Sequence, residues 1–239
     1  MKPKWKKRLQ ILLISLAVVL IVVVGGFWFY TQDYYRAEQP AQQAMAEPQG
    51  KVEALENMWV FHSEQGKESD KVLIFYPGGK VEATAYAPLL QKLAQKGITC
   101  VLMKMPFNLA VLEMNAADRA FKQLPQVKEW YIGGHSLGGA MAGSYASAHT
   151  DKLKGLILLG AYSAKPVDLP TLAVYGSEDK VLDRSKLKNM PNCIEIAGGN
   201  HAYFGDYGEQ KGDGKATISK EEQQSQTAEA IAKFILEGS

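Results

Sequence analysis

Trp130-Tyr131-Ile132-Gly133-Gly134-His135-Ser136-Leu137-Gly138-Gly139 is an apolar run that breaks at Gly-x-Ser-x-Gly and passes into a string of small residues, Ala140-Met141-Ala142-Gly143. A strand that turns at once into a helix, with a serine at the joint, lifts a hydroxyl clear of the backbone. Flanking glycines remove the Cβ atoms that would collide in so tight a turn. Ser136 is therefore a candidate nucleophile, and the N–H of Leu137 is placed to donate to an oxyanion. In a chain with 22 glycines the five-residue pattern carries little weight alone. Its weight comes from context: a strand before it, a helix after it, and an acid and a histidine later in the chain.

Outward from this turn, apolar and amphipathic runs alternate. Residues 57–62, 71–76, 98–103, 129–133, 153–159, 171–175 and 193–197 read as strands. Residues 85–96, 110–124, 137–149, 183–188 and 220–236 read as helices, the last anchored by Ile231, Phe234 and Ile235. In 110–124, Leu112, Ala116, Ala120 and Leu124 form one row at four-residue spacing. Gly139, Ala140, Ala142 and Gly143 would let the helix after Ser136 press closely on a sheet. The polar stretch 63–70 reads as a hairpin-type loop joining the first two strands. The alternation predicts an α/β fold, a mainly parallel sheet with helices on both faces. Residues 160–170 are too few to form a lid.

A serine hydroxyl needs a base within hydrogen-bond reach and a third group to orient that base. Of the four histidines, His62 lies on an early strand, His135 abuts the serine and His149 ends the following helix. His201, in Gly198-Gly199-Asn200-His201-Ala202, follows the last strand at the edge where Ser136 leaves its own, and is the expected general base. Tyr175-Gly176-Ser177-Glu178-Asp179-Lys180-Val181 leaves a strand at the same edge. Asp179 is the expected acid, with Glu178 as its neighbouring competitor and Asp183 as a weaker alternative; Asp168 precedes the strand, at the wrong edge.

The order Ser136, Asp179, His201, together with Gly-His-Ser-Leu-Gly-Gly, Tyr-Gly-Ser-Glu-Asp-Lys-Val and Gly-Gly-Asn-His-Ala, resembles the lidless α/β hydrolases related to dienelactone hydrolase, over residues 57–236. In that family the glycine loop after the early strand lends a backbone N–H to the oxyanion hole. The resemblance carries this role to Gly79 of Pro77-Gly78-Gly79-Lys80, with Lys80 second. Dienelactone hydrolase itself uses a cysteine nucleophile, whereas a serine stands at the turn here, which points to ester chemistry. The segment Met105-Pro106-Phe107-Asn108 and the Gly/Asp-rich tail after His201 look like features of a bacterial membrane-anchored subgroup. The implied enzyme is a serine hydrolase of carboxylesterase type acting on small or exposed esters, with no cofactor and no metal. A catalytically idle fold serving as a tethered binding module is the rival reading, and an envelope peptidase or acyltransferase is the third.

The N-terminus sets the expected location. Residues 1–8 carry Lys2, Lys4, Lys6, Lys7 and Arg8, and residues 9–30 hold no charge, long enough to cross a bilayer. A run ending in Phe27-Trp28-Phe29-Tyr30, with no small-residue cleavage site close behind, reads as an uncleaved signal anchor with its basic end in the cytoplasm. Residues 31–50 then read as a polar stalk, and 51–239 as an extracytoplasmic hydrolase domain. The expected partners are the membrane and a small-molecule ester or envelope component. The net charge of +2 depends on the N-terminal cations: beyond them the chain has 22 basic against 25 acidic residues, which argues against nucleic acid. Cys100 and Cys193 both fall in apolar runs and read as separate buried thiols. Residues 205–219 read first as a solvated loop and second as a flank of the site, since they follow His201.

Overall fold

The computed structural model describes residues 4–46, 52–63, 70–188, 190 and 192–238. The chain forms two compact units, Met1–Tyr34 and Tyr35–Ser239. The first contains helix α1 (Lys4–Gln32), long and apolar enough to cross a membrane. In the second, eight strands lie in one sheet: β1 (Val52–Leu55), β2 (Met58–Phe61), β3 (Lys71–Tyr76), β4 (Thr99–Met103), β5 (Glu129–His135), β6 (Gly155–Leu159), β7 (Thr171–Gly176) and β8 (Cys193–Ile196). Their order is β1-β2-β4-β3-β5-β6-β7-β8, antiparallel through β1, β2 and β4 and parallel from β4 to β8.

The helices of this unit are α2 (Gln39–Ala46), α3 (Ala87–Gln95), α4 (Ala117–Gln123), α5 (Leu137–Ala148) and α6 (Lys220–Glu237). Strand β3 shows why both faces need cover: Val72, Ile74 and Tyr76 enter one core with Ala120, Ala142 and Ala146, while Leu73 and Phe75 enter the other with Leu90, Leu93, Ile231 and Ile235. The helix expected after the serine presses inward as its small residues imply. A Cβ on Gly139 would fall 2.6 Å from Cβ of Ala161.

Five expectations are corrected. The hairpin lies one strand earlier than expected: β1, unread in the sequence, pairs with β2 through Glu56 and Asn57, and Asn57 takes φ 58°. β2 then pairs with β4, not with β3, so 63–70 joins two strands separated by a third; residues 64–69 lie outside the described residues. The helix expected over 110–124 is a 3-10 turn, Ala110–Leu112, followed by α4. The Tyr76 hydroxyl takes the Ala117 N–H at 2.7 Å and donates to Met114 O at 2.9 Å, holding the chain out of a continuous helix. Leu112 consequently faces solvent while Ala116 and Ala120 are buried. A short 3-10 turn, Arg184–Leu187, stands where the helix 183–188 was expected. Cys193 is exposed on the edge strand β8, and only Cys100 is buried. 

The fifth correction concerns the stalk. From Tyr35 onward the chain packs on the domain: Ala37, Ala41 and Ala44 are buried in the core shared with α3, and Glu38 N–H donates to Asp206 O at 2.8 Å. These alanines bury their methyl groups in a core that also holds Leu89, Leu90 and Leu93 of α3. Ala41→Asp is therefore expected to destabilise the protein by about 2–4 kcal/mol, the cost of forcing a carboxylate into an apolar contact. Urea denaturation checks this, and a midpoint unchanged from wild type would mean the segment does not pack.

Candidate active site

Ser136 occupies the joint between β5 and α5 with φ 52° and ψ −123°, a conformation that a residue with a side chain adopts at a cost of about 1–3 kcal/mol. The turn is held from both sides. Ser136 N–H donates to Leu159 O at 3.0 Å and Ala140 N–H to Ser136 O at 3.0 Å. A Cβ on Gly134 would lie 2.6 Å from Tyr76 O and 2.7 Å from the Gly138 carbonyl carbon, and one on Gly138 would strike the carbonyl oxygens of Tyr76 and Pro77. Both glycines of the pattern are thus demanded by backbone passing backbone.

Asp179 and His201 come together beneath this turn. The Nδ1–H of His201 donates to Asp179 Oδ2 at 2.8 Å, and both side chains are buried. Asp179 Oδ1 accepts from the N–H groups of Val181 and Leu182, each at 2.9 Å. Three donors offset the cost of burying this carboxylate and fix its orientation. With Nδ1 committed, His201 presents the lone pair of Nε2, which is buried and has no hydrogen-bond partner among the described residues. Gly160 brings the pair to the serine turn: it follows Leu159, whose carbonyl holds Ser136, and a Cβ on it would lie 2.9 Å from His201 Nδ1 and 3.2 Å from Asp179 Oδ2.

The competing residues have other partners. Glu178 accepts from Ser177 Oγ, Asp183 caps Ser185, and Asp168 is exposed ahead of β7. His62 pairs with Glu53 at 2.9 Å, and His149 stacks on Tyr145 with ring centroids 4.1 Å apart. Gly79 and Leu137 adjoin: a Cβ on Gly79 would lie 2.7 Å from Leu137 Cδ2. Gly78 N–H donates to Tyr86 Oη at 3.0 Å and Lys80 N–H to Asn108 O at 2.8 Å, so Lys80, the second candidate donor, is already engaged. The N–H groups of Gly79 and Leu137 have no acceptor among the described residues.

Residues 205–219 answer to both readings: 209, 211, 212, 215, 217 and 219 are exposed, while 205–207 and 214 are buried and the segment flanks the site. Asp213 Oδ2 accepts from Ala202 N–H at 2.9 Å, and Asn200 Nδ2 donates to Gly214 O at 2.9 Å, which ties the segment to the loop bearing His201. Tyr86 is a further site residue that the sequence did not mark. Its hydroxyl accepts from Gly78 N–H and lies 2.8 Å from His135 Nδ1, joining the glycine loop to the residue before Ser136. An isolated tyrosine in an amphipathic stretch carries no signal for such a role.

Residues 72–225, more than half of the chain, match the alpha/beta hydrolase family. The chain belongs to the alpha/beta hydrolase family. The fold of this hydrolase is shared with solved structures of low sequence identity. Est1E from Butyrivibrio proteoclasticus is 17% identical with a TM-score of 0.56, over 76% of this chain and 93% of its own. Dienelactone hydrolase from Anabaena variabilis is 14% identical with a TM-score of 0.57, over 79% of this chain and 98% of its own. An alpha-beta serine hydrolase homologue from Coxiella burnetii is 13% identical with a TM-score of 0.55, over 78% of this chain and 98% of its own. No curated protein matches the sequence.

His135 is fully buried in this hydrolase, beside the rings of Tyr86 and Phe204 and with the His201 ring centroid 4.5 Å away. Burial, reinforced by the neighbouring His201 imidazole, holds its pKa well below the ordinary 6.5. The unfolded chain therefore takes up a proton that the folded protein refuses. Stability from this residue is complete above about pH 6.5 and is lost as pH falls below it, by at most about 1.4 kcal/mol per pH unit. His135→Gln, which keeps an acceptor for the Tyr86 hydroxyl, should flatten the decline between about pH 7 and 5.5 in urea denaturation. Equal slopes for variant and wild type would place the acid sensitivity elsewhere.

Proposed function

We propose that this hydrolase is a membrane-anchored serine carboxylesterase facing away from the cytoplasm. The observation that carries the reading is the buried Asp179–His201 pair at 2.8 Å, its Nε2 unpartnered, set against a serine on a strained strand-to-helix turn. Ser136 Oγ attacks the ester carbonyl carbon while His201 Nε2 takes its proton, and Asp179 orients and stabilises the imidazolium. The oxygen that gains charge is held by the N–H groups of Gly79 and Leu137. His201 then returns the proton to the departing alkoxide, leaving an acyl-enzyme that water resolves by the same route. No cofactor enters this sequence of steps.

Helix α1 supplies the anchor in this reading. Its basic N-terminal end stays in the cytoplasm and Phe27 to Tyr30 mark the opposite interface, which puts the domain outside. The substrate preference follows from exposed side chains. Outside α1, the exposed large hydrophobic residues among the described ones are Phe107, Val111, Leu112, Met114, Val181, Ile194 and Leu236. The first five lie on segments that leave the carboxyl ends of β4 and β7, the edge from which Ser136 also emerges. An ester with an apolar acyl group would cover them.

Two results test this reading. A fluorophosphonate should form an adduct on Ser136 of the wild type that is absent in Ser136→Ala, with His201→Ala slowing ester turnover by roughly 10⁴-fold. A folded protein that stays unlabelled would leave a tethered binding module as the better account. Among p-nitrophenyl esters, kcat/KM should rise about ten-fold from acetate to hexanoate if half of the added methylene surface is covered, and Leu112→Ser with Phe107→Ser should reduce that gain. A preference for acetate would put the acyl group away from the apolar residues.

A further inference from the structure

We infer that residues 35–38, the first stretch of the domain after the apolar helix, are positioning residues for the oxyanion loop. Turnover on this view depends on a segment whose composition suggests only a spacer. The inference rests on the hydrolase reading above, and in particular on Gly79 as an oxyanion donor.

The segment is hydrogen-bonded on two sides. On one it runs parallel to the residues that follow Gly79, with Tyr35 bridged to Val81. Tyr35 N–H donates to Lys80 O at 2.8 Å, Glu82 N–H donates to Tyr35 O at 2.8 Å, and Ala37 N–H donates to Glu82 Oε2 at 2.9 Å. On the other side it meets the segment that follows His201. Glu38 N–H donates to Asp206 O at 2.8 Å, Lys211 N–H donates to Tyr35 Oη at 3.1 Å, Lys220 pairs with Glu38, and the rings of Tyr35 and Tyr207 lie 5.5 Å apart. One short stretch thus spans from the glycine loop to the histidine loop.

The glycine loop needs such an outside hold. Lys80 is a non-glycine residue at φ 58°, a conformation that tertiary bonds must maintain. Its N–H is fixed by Asn108 O, but its carbonyl is fixed by Tyr35. The Lys80 carbonyl shares its peptide plane with the Val81 N–H, which donates to Gly78 O at 3.3 Å, and Gly78 O shares its plane with the Gly79 N–H; the bond from Tyr35 thus bears, through this link, on the direction in which the Gly79 N–H points. Oxyanion stabilisation falls steeply with donor placement, because the donor acts only on charge that appears in the transition state. A loosened segment should consequently lower kcat while leaving ground-state binding nearly unchanged.

The test uses the full chain in detergent and an ester substrate such as p-nitrophenyl butyrate. Tyr35→Pro deletes the donor to Lys80 O, and Glu82→Ala deletes the acceptor of Ala37 N–H. Each is expected to lower kcat by about ten-fold with KM within about two-fold of wild type and the acid limb of the kcat–pH profile in place. Glu82→Gln, which retains an acceptor, should recover most of the loss. Should Tyr35→Pro fail to fold, Glu82→Ala decides, since it alters no backbone donor. Folded variants with wild-type kcat would overturn the inference, as would a loss carried by KM or by a shifted acid limb. A wild type that neither turns over esters nor labels on Ser136 would remove the hydrolase reading and this inference with it; an active wild type with unaffected variants removes the inference alone.

Discussion

A carboxylate with no access to water is the constraint around which the second unit is arranged. Asp179 is stable in its position only because two backbone N–H groups and the His201 imidazole donate to it together. Those donors come from two separate loops, after β7 and after β8, so the bonds also fix the loops relative to each other. Withdrawing any one donor leaves part of a buried charge unsatisfied, which costs more than the bond is worth where water can replace it. The same demand explains the surroundings. Asp213 and Gln223 make further bonds to the histidine loop, and Gln223 joins it to α6 by accepting from Asn200 N–H at 3.0 Å and donating to Asn200 O at 2.8 Å.

The strain at Ser136 is the second feature that needs support from elsewhere. Its backbone conformation is held because β3, β5 and α5 approach so closely that only glycine fits at 134 and 138. The parallel pairing of β3 with β5 delivers Pro77 and the glycine loop to the start of α5, so that Gly79 meets Leu137. Tyr86 then links that loop to His135. Serine turn, glycine loop and Asp179–His201 pair are parts of one packing problem, solved at the carboxyl edge of the sheet.

Much of the site was legible because its signals are local. The turn at Ser136 is legible once its glycine spacing is read with the apolar strand before it and the small-residue helix after it, and the positions of Asp179 and His201 follow from which strand each residue leaves. Apolar runs such as Val72 to Tyr76 mark buried strands wherever they pair. Other features were illegible for the opposite reason. Nothing in Met58 to Phe61 states that its neighbour is β4, since a run apolar on both faces satisfies either partner. Ala41 and Ala44 look like spacer residues until a helix lies against them. The break at 113–116 depends on a tyrosine hydroxyl forty residues earlier in the chain, and the exposure of Cys193 depends on β8 being the sheet edge.

By itself the sequence determined the alternation of strands and helices, the serine turn and the chain order Ser136, Asp179, His201, along with an apolar helix able to cross a membrane. Each is written in contiguous residues, where backbone geometry and side-chain periodicity act over a few ångströms. Tertiary structure alone decided which strands are neighbours, which backbone N–H groups remain free to donate beside Ser136, and that residues 35–46 pack on the domain. These are outcomes of hydrogen-bond satisfaction between segments distant in sequence. A donor is free or engaged only once the rest of the chain has folded around it.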